Sequence, residues 1–172
     1  MQVPEKLTNF RVYQDGDDLI GIADAELSTI TAMSETVKGA GIAGEIDAPT
    51  TGHFGSMEVT LNWRTLNKSN VALMAPKVFN LDLRGVQEVY DSSNKTIRQQ
   101  SVKCVIAGRP KELSLGKFDV NASTGTSNKL EVIYIKVDVD GKTVLEIDKY
   151  NYICNIDGQD YMGEIREALG LV

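Results

Sequence analysis

The stretch LEVIYIKVDVDGKTVLEIDKYNYICNI, residues 130–156, decides the fold. Apolar side chains occupy every second position from Ile133 to Val139, and successive side chains of a β-strand point to opposite faces. The Asp-Gly pair at 140–141 tolerates positive φ and is typical of a two-residue hairpin turn. The chain then returns through a second alternating segment, residues 143–148. This stretch therefore predicts a long antiparallel hairpin.

The segment QDYMGEIREALG, residues 159–170, follows the hairpin and predicts a helix. Tyr161, Ile165 and Leu169 are spaced four residues apart, so they would share one helical face, and Gly170 suits a C-terminal cap. We expect this helix to lie across the hairpin and to complete its core. The expected core residues of the hairpin and the helix are Ile133, Ile135 and Ile165.

A second strand, residues 54–66 with the sequence FGSMEVTLNWRTL, separates apolar from polar side chains. Such alternation is typical of an antiparallel sheet with one face on the core and the other in water. The expected buried face consists of Met57, Val59, Leu61 and Trp63. The opposite, hydrated face consists of Ser56, Glu58, Thr60, Asn62 and Arg64.

Shorter alternating segments predict further strands. They indicate hairpins over residues 7–22 and 78–107, a Gly-Arg-Pro break at 108–110 and a separate strand over 113–120. Residues 26–37 are polar and rich in β-branched side chains, which predicts a strand with polar surroundings on both faces.

Two segments predict loops. Residues 39–55 contain five glycines and one proline, so we expect a loop that is mobile or that becomes ordered only on assembly. Residues 121–128 contain small polar side chains and predict an exposed loop.

Length and composition fit a single β-rich domain over residues 1–172.

The formal net charge of −6 is unevenly distributed along the chain. Residues 67–111 have a net charge of +5, whereas residues 1–47 have −6 and residues 112–172 have −5. The basic residues of the middle region include Lys68, Lys77, Lys95, Arg98, Lys103, Arg109 and Lys111. Three interpretations stay open: a nucleic-acid surface, although no aromatic side chains are interleaved; a self-complementary contact between copies; and an ordinary solvated surface.

The sequence lacks the motifs of common catalytic and metal sites. His53 is the only histidine, and no serine occupies a G-x-S-x-G turn. Cys104 and Cys154 lie in apolar alternating segments, which indicates buried free thiols, with a disulfide between them as the alternative. No apolar run reaches eighteen residues, and the N-terminal MQVPEKLTNF has no signal-peptide pattern. We therefore expect no enzyme activity, cofactor, metal or membrane insertion.

Both ends of the chain contain a recognisable order of motifs. The N-terminal part has a Leu-Thr-Asn strand start, an Asp-Gly turn, a Glu-x-x-x-Gly-Ala-Gly segment at 35–41 and Glu-Ile-Asp at 45–47. The C-terminal part has a long strand, a short turn, Val-Leu-Glu-Ile-Asp at 144–148 and a terminal helix that ends in Ala-Leu-Gly. In this order the motifs resemble the major tail tube proteins of contractile-tailed phages and of R-type bacteriocins. The resemblance implies an antiparallel β-sandwich or small barrel with long hairpins and one C-terminal helix.

The resemblance also implies a structural role, in hexameric rings that stack head to tail around a channel for DNA or ions. The implied partners are other copies of the chain, the tail sheath, the tape-measure protein, and the baseplate and tail-terminator proteins, while DNA passes without specific binding. The implied location is the tail of a virion, or a bacteriocin particle, assembled in the bacterial cytoplasm. The expected channel-lining residues are Ser28, Ser34, Thr36, Ser56, Glu58, Thr60, Asn62 and Arg64. The expected inter-ring loop residues are Gly39, Gly41, Ile42 and Gly44.

Two alternatives to a phage or bacteriocin tube remain at this point. One is a ring-forming tube protein of a type VI-like secretion system, which would share the fold. The other is an unrelated β-sandwich binding module.

Overall fold

The computed structural model describes residues 1–171 and is built almost entirely from antiparallel strands. The strands are β1 Gln2–Gln14, β2 Asp17–Asp18, β3 Ile22–Glu26, β4 Ala32–Lys38, β5 Glu45–Phe54, β6 Glu58–Trp63, β7 Phe79–Asp91, β8 Thr96–Ser114, β9 Ser127–Val139, β10 Lys142–Asp148, β11 Ile153–Ile156 and β12 Gln159–Asp160. The helices are α1 Lys68–Ala72 and α2 Gly163–Ala168.

Strand β9 is the centre of the main sheet. The sheet runs in the order β12-β11-β10-β9-β8-β7-β1-β2, and β9 follows β8 along its whole length. On its other edge β9 changes partner, because residues 127–131 pair with β6 while residues 134–139 pair with β10. Strand β3 continues the branch by pairing with β6, whereas β4 and β5 form a separate two-stranded sheet. The expected fold class, a mainly β antiparallel fold with one C-terminal helix, is confirmed.

The hydrophobic core lies between the β3–β6 branch and the wide sheet. Met57, Val59 and Leu61 are fully buried, and Trp63 is 2% exposed. The wide sheet contributes Leu81, Ile106, Leu130, Val132, Ile135 and Ile147 to the same cluster. Alternation along residues 57–63 puts the apolar side chains on one face of the strand. That face packs against the core because burying apolar surface away from water is favourable.

The hairpin predicted over residues 130–148 is present. Val139 pairs with Lys142 across the turn, where Asp140 and Gly141 have φ values of 50° and 76°. The expectation that Ile133 is a core residue is wrong. The pairing shifts between Ala107 and Gly108 of β8, so Ile133 is the extra residue of a β-bulge and is only half-buried. The bulge reverses the phase of the alternation, and Val132 is buried instead.

The predicted C-terminal helix is shorter than expected. Gln159 and Asp160 pair with β11 as β12, so α2 begins only at Gly163, and Tyr161 lies before it. Ile165 is half-buried rather than part of the core, and Met162 fills the buried position. At the other end the Gly170 N–H donates to Glu167 O at 3.0 Å and the Leu171 N–H to Arg166 O at 2.9 Å, the expected glycine cap.

Other predicted boundaries also differ. Strand β8 runs through the Gly-Arg-Pro sequence to Ser114, because two bulges absorb that segment and leave 115–120 as a loop. The turn at 15–16 is present, but β2 has only two residues and the chain crosses over to pair β3 with β6. Residues 45–54 of the expected glycine-rich loop are strand β5. The expected exposed loop at 121–128 ends in two buried side chains, Thr126 and Asn128.

None of the helices found in residues 1–171 has the length and hydropathy needed to span a bilayer. Cys104 and Cys154 are both buried and free.

Candidate functional site

The β4–β5 hairpin is the most unusual surface of the molecule. Among the described residues, 1–171, its two strands pair only with each other, and every residue of β4 is exposed. A two-stranded hairpin is marginally stable in water by itself, so a hairpin that projects from a domain generally needs a covering partner. The hairpin leaves the domain beside the N-terminal end of β6.

The two faces of the hairpin differ in polarity. In the observed register Val37 pairs with Ile46 and Thr36 with Asp47, and paired residues share a face. One face therefore presents Glu35, which pairs with Ala48, and four apolar side chains, Met33, Val37, Ile46 and Ala48, of which Met33, Val37 and Ile46 are 54%, 41% and 56% exposed. We call these four residues the apolar hairpin face. The other face is hydrated and presents Ser34, Thr36, Lys38, Glu45 and Asp47.

The base of the hairpin is bent and anchored. Ala32 pairs with Phe54 but Ser34 pairs with Pro49, so residues 50–53 form an enlarged bulge. Within the bulge Gly52 has a φ of +71°, and a Cβ there would lie 2.0 Å from the Sδ atom of Met162. The Lys149 Nζ atom donates to Gly55 O at 2.7 Å.

The tip of the hairpin contains the residues expected to form an inter-ring loop. Gly39, Gly41 and Gly44 all have positive φ, and open space surrounds their Cα atoms. The Ile42 N–H donates to Gly39 O at 3.3 Å, which closes the turn. The glycine spacing therefore serves a tight turn at the end of a strand pair rather than a long loop.

The outward face of β6 is the second candidate surface. Glu58 forms ion pairs with Lys111 and, at 3.8 Å, with Lys129. Glu131 accepts hydrogen bonds from Ser56 Oγ at 2.7 and 2.9 Å and lies 3.7 Å from Lys111 Nζ. The hydrogen bond from the Lys111 ammonium, together with the charges of Lys111 and Lys129, lowers the pKa of the Glu58 carboxyl below its ordinary range. Each cation of this cluster is matched by a carboxylate.

The Glu58→Gln variant is expected to weaken the acid sensitivity of the protein. A carboxyl whose folded-state pKa is lowered contributes stability above its unfolded pKa of about 4.3, and this stability is lost as the pH falls through the folded-state pKa. The melting temperature should therefore fall less steeply between about pH 4.5 and 3 in the variant than in the wild type. Thermal melts across this range test it, with Glu112→Gln on β8 as control. Identical slopes for wild type and Glu58→Gln would contradict the role of the pair.

The eight expected channel-lining residues do not form one surface. Glu58, Thr60 and Asn62 lie on the outward face of β6, Ser56 lies two residues before this strand, and Asn62 Nδ2 donates to Asp24 Oδ1 at 2.6 Å. Ser34 and Thr36 lie on the hydrated face of the hairpin. Ser28 lies half-buried in the segment between β3 and β4. Arg64 lies beyond the end of β6 and lines a separate cavity with Phe10 and Ile20.

Three of the seven basic residues singled out in the sequence form ion pairs within the chain: Arg98 with Asp140, Lys103 with Asp82 and Lys111 with Glu58. Asp140 and Glu58 lie outside residues 67–111, so two of these pairs offset part of the net charge of +5 in the middle region. Within residues 1–171 no cluster of three His, Cys, Asp or Glu side chains is placed to hold a metal ion.

The apolar hairpin face was missed by the sequence analysis. Its signal was present, since Met33, Glu35 and Val37 alternate with Ser34 and Thr36. The serines and threonines make both faces look polar, and the five glycines of residues 39–55 hide the returning strand β5. Only the pairing of Val37 with Ile46 brings the apolar side chains together.

Residues 4–170 match the family model described as phage tail tube protein FII. The chain is 27% identical over 173 residues to the major tail tube protein of Serratia phage KSP20, covering 99% of both chains. It is 26% identical over 181 residues to the tail tube protein of Escherichia phage P2, covering 99% of this chain and 100% of that one. Among solved structures it is similar to the sheath/tube terminator of PVC, an extracellular contractile injection system, in the extended state. That similarity has a TM-score of 0.52 and 12% identity, covers 78% of this chain and 96% of the other, and supports the fold alone.

Proposed function

We propose an assembly role for this chain, which belongs to the phage tail tube protein FII family and is a structural tail tube protein. In this proposal it is the subunit of the inner tube of a contractile tail, and its copies form hexameric rings that stack head to tail. Its partners are then its own copies, the surrounding sheath, the tape-measure protein, and the baseplate and terminator proteins at the two ends. Assembly would take place in the cytoplasm of the bacterial host, before the tube becomes part of a virion or bacteriocin particle.

The observation that carries the proposal is the uncovered apolar hairpin face. Val37 and Ile46 pair across the hairpin and are 41% and 56% exposed, while β4 and β5 have no other strand partner in the part of the chain that the structure describes. When another chain covers apolar surface of this kind, the removal of that surface from water stabilises the contact by about 25 cal/mol per Å². A subunit that is made to polymerise has such a partner in every neighbouring copy.

The channel lining in this proposal has two parts. Ser34 and Thr36 on the hydrated hairpin face form one part, and Ser56, Glu58, Thr60 and Asn62 on or just before β6 form the other, with Ser28 between them. Lys111 and Lys129, the cations beside Glu58, are matched by carboxylates, which supports passage of DNA without retention, because unmatched cations would bind phosphates and release counterions. We leave Arg64 out of the lining, since it lies beyond the end of β6 among residues of another cavity.

The test is a charged double variant of the apolar hairpin face, Val37→Asp with Ile46→Asp. We expect a folded monomer that no longer forms tubes, because burying an unpaired carboxylate in an apolar contact costs more than the roughly 2–7 kcal/mol of an unpaired neutral polar group. The matched control puts the same charges on the hydrated face, as Ser34→Asp with Thr36→Asp. The measurements are negative-stain electron microscopy, sedimentation and a melting curve.

The outcomes separate the competing functions. Wild-type tubes with six-fold end views, lost only in the apolar-face variant, support the proposal. Isolated wild-type rings would favour the secretion-system ring protein, and a permanent monomer would contradict a self-assembling tube subunit. Wild-type-like tubes from the apolar-face variant, or failure of that variant to fold, would contradict a partner contact at this face.

A further inference from the structure

A second protruding surface lies at the opposite end of β6 from the hairpin. It is the loop of residues 115–126 between β8 and β9, and we call it the neck loop. The Trp63 N–H donates to Thr126 O and the Thr124 N–H to Arg64 O, both at 2.8 Å, so the loop is attached where β6 ends. Since β6 spans six residues, the base of the hairpin and the neck loop are separated by about 20 Å along the strand.

The base of the neck loop is closed and tightly packed. The Lys117 N–H donates to Thr124 O at 2.9 Å, and Thr126 Oγ1 donates to Leu115 O at 3.1 Å. Gly116 has a φ of +81°, and a Cβ at this position would lie 2.0 Å from Thr124 O. The two arms of the loop therefore approach each other more closely than a side chain at position 116 would allow. The closed base holds the tip in place.

The tip of the neck loop is apolar and almost entirely exposed. Phe118 is 91% exposed and Val120 is 87% exposed, which is unusual for large apolar side chains in a protein surface. The segment from α1 to the start of β7, which also follows the end of β6, contains three further exposed apolar side chains, Val71, Met74 and Val78, each between 41% and 48% exposed. An apolar patch of this kind marks a contact with another molecule.

The charges at the two ends of β6 are complementary. Residues 64–78 contain three basic residues, Arg64, Lys68 and Lys77, and no acidic residue. Residues 32–54, which form the hairpin, contain three acidic residues and one basic residue, a net charge of −2. None of these three cations is in a salt bridge within the described part of the chain, residues 1–171. Surfaces of opposite charge at opposite ends favour a head-to-tail contact between identical subunits.

We infer that the neck loop of one copy binds the apolar hairpin face of the next copy, with Phe118 and Val120 packed against Val37 and Ile46. The inference rests on the proposed function and names the surface that receives the hairpin. The contact is heterologous, because it joins different ends of two identical chains, and it therefore continues from copy to copy rather than closing a pair. Each copy would cover both of its exposed apolar surfaces in this way.

The first test is the variant Phe118→Ser with Val120→Ser. Both side chains are exposed in the single chain, so the melting temperature of the monomer should stay within about 2 °C of the wild type. The protein concentration needed to form tubes should rise about tenfold or more, since the contact loses two apolar side chains. Ala122→Ser with Ser123→Ala, at exposed positions of the same loop, is the matched control and should polymerise like the wild type.

The second test is a disulfide between copies. A chain with both Phe118→Cys and Ile46→Cys should give a ladder of oxidised multimers on a non-reducing gel, and each single variant should give no ladder. The control pair Phe118→Cys with Thr36→Cys places the second thiol on the hydrated face and should give no ladder. An oxidised monomer of altered mobility would overturn the inference, because the neck loop would then bind the hairpin of its own chain.

The outcomes distinguish this inference from the proposed function. If the Phe118 and Val120 variant forms tubes like the wild type while the Val37 and Ile46 variant forms none, the hairpin has a different receptor and the inference fails alone. If both variants form tubes, the inference fails together with the partner contact at the apolar hairpin face, while the proposed function fails only if the wild type forms no tubes. A lowered melting temperature of the monomeric Phe118 and Val120 variant would also contradict the inference, since these side chains would then belong to the fold.

Discussion

The Trp63→Ala variant is expected to lose about 3–5 kcal/mol of unfolding free energy, a large part of the 5–15 kcal/mol typical of a folded domain. Trp63 is 2% exposed and lies on β6 with its ring in the core between the two layers of the fold. Its removal leaves a cavity that the surrounding strands cannot close, because β6 is hydrogen-bonded on both edges.

A polar chain adds to this effect. The Trp63 Nε1 atom donates to Asn128 Oδ1 at 2.9 Å, and Asn128 Nδ2 donates to Asn70 O at 3.0 Å. Both asparagines are buried, at 1% and 0% exposure. Alanine at position 63 leaves the Asn128 oxygen without its donor, and an unsatisfied buried acceptor costs about 1–3 kcal/mol.

Urea unfolding of Trp63→Ala and Trp63→Phe separates the two contributions. Phenylalanine keeps most of the apolar volume but has no N–H, so its expected loss is about 1–3 kcal/mol, chiefly from the polar chain. Asn128→Ala provides the matching deletion from the other side. A Trp63→Ala midpoint within error of the wild type would contradict the core assignment.

The elements that the sequence predicted well are those where alternation acts alone. In β6 the apolar side chains of 57–63 face the core because nothing interrupts the period of two, and the Asp-Gly turn at 140–141 forms because its residues tolerate positive φ. Both signals are local, so they can be read without knowledge of the partner strands.

The elements that were predicted wrongly depend on pairing between distant segments. Ile133 leaves the core because a bulge opposite Gly108 changes the phase of β9, and a bulge is decided by two strands together. Helix α2 is short because Gln159 and Asp160 pair with β11 as strand β12 and are not available to the helix. Strand β8 continues past Pro110 because bulges absorb it, although the local sequence reads as a break.

The candidate site was only partly predictable for the same reason. Ser34 and Thr36 were recognised as polar positions, yet the amphipathic nature of the hairpin depends on the register of β4 against β5. The compensation of Lys111 by Glu58 joins residues 53 positions apart and follows from the register of β6, β9 and β8. Sequence reasoning could identify the polar face of β6 but not the partners that neutralise it.

Replacing Gly52 with alanine is expected to disrupt the packing of the hairpin base against the domain. Gly52 has a φ of +71°, where a residue with a Cβ loses about 1–2 kcal/mol. The new Cβ would also overlap the Met162 Sδ atom, so the buried Met162 side chain has to leave its position, at a cost of up to about 3 kcal/mol. We expect both a lowered melting temperature and loss of tube formation, because the bulge at 50–53 sets the direction of the hairpin.

The control for backbone strain is Gly125→Ala. Gly125 has the same φ of +71° with nothing near its missing Cβ, so it should lose only the backbone part, about 1–2 kcal/mol. The control for the steric part is Gly52→Ala in the background of Met162→Ala, where the thioether is gone and the added Cβ should cost less than in the wild type. Equal losses of unfolding free energy for Gly52→Ala and Gly125→Ala would mean that the Met162 side chain moves away from the added Cβ without a cost. The contact with Met162 would then not fix the hairpin at this point.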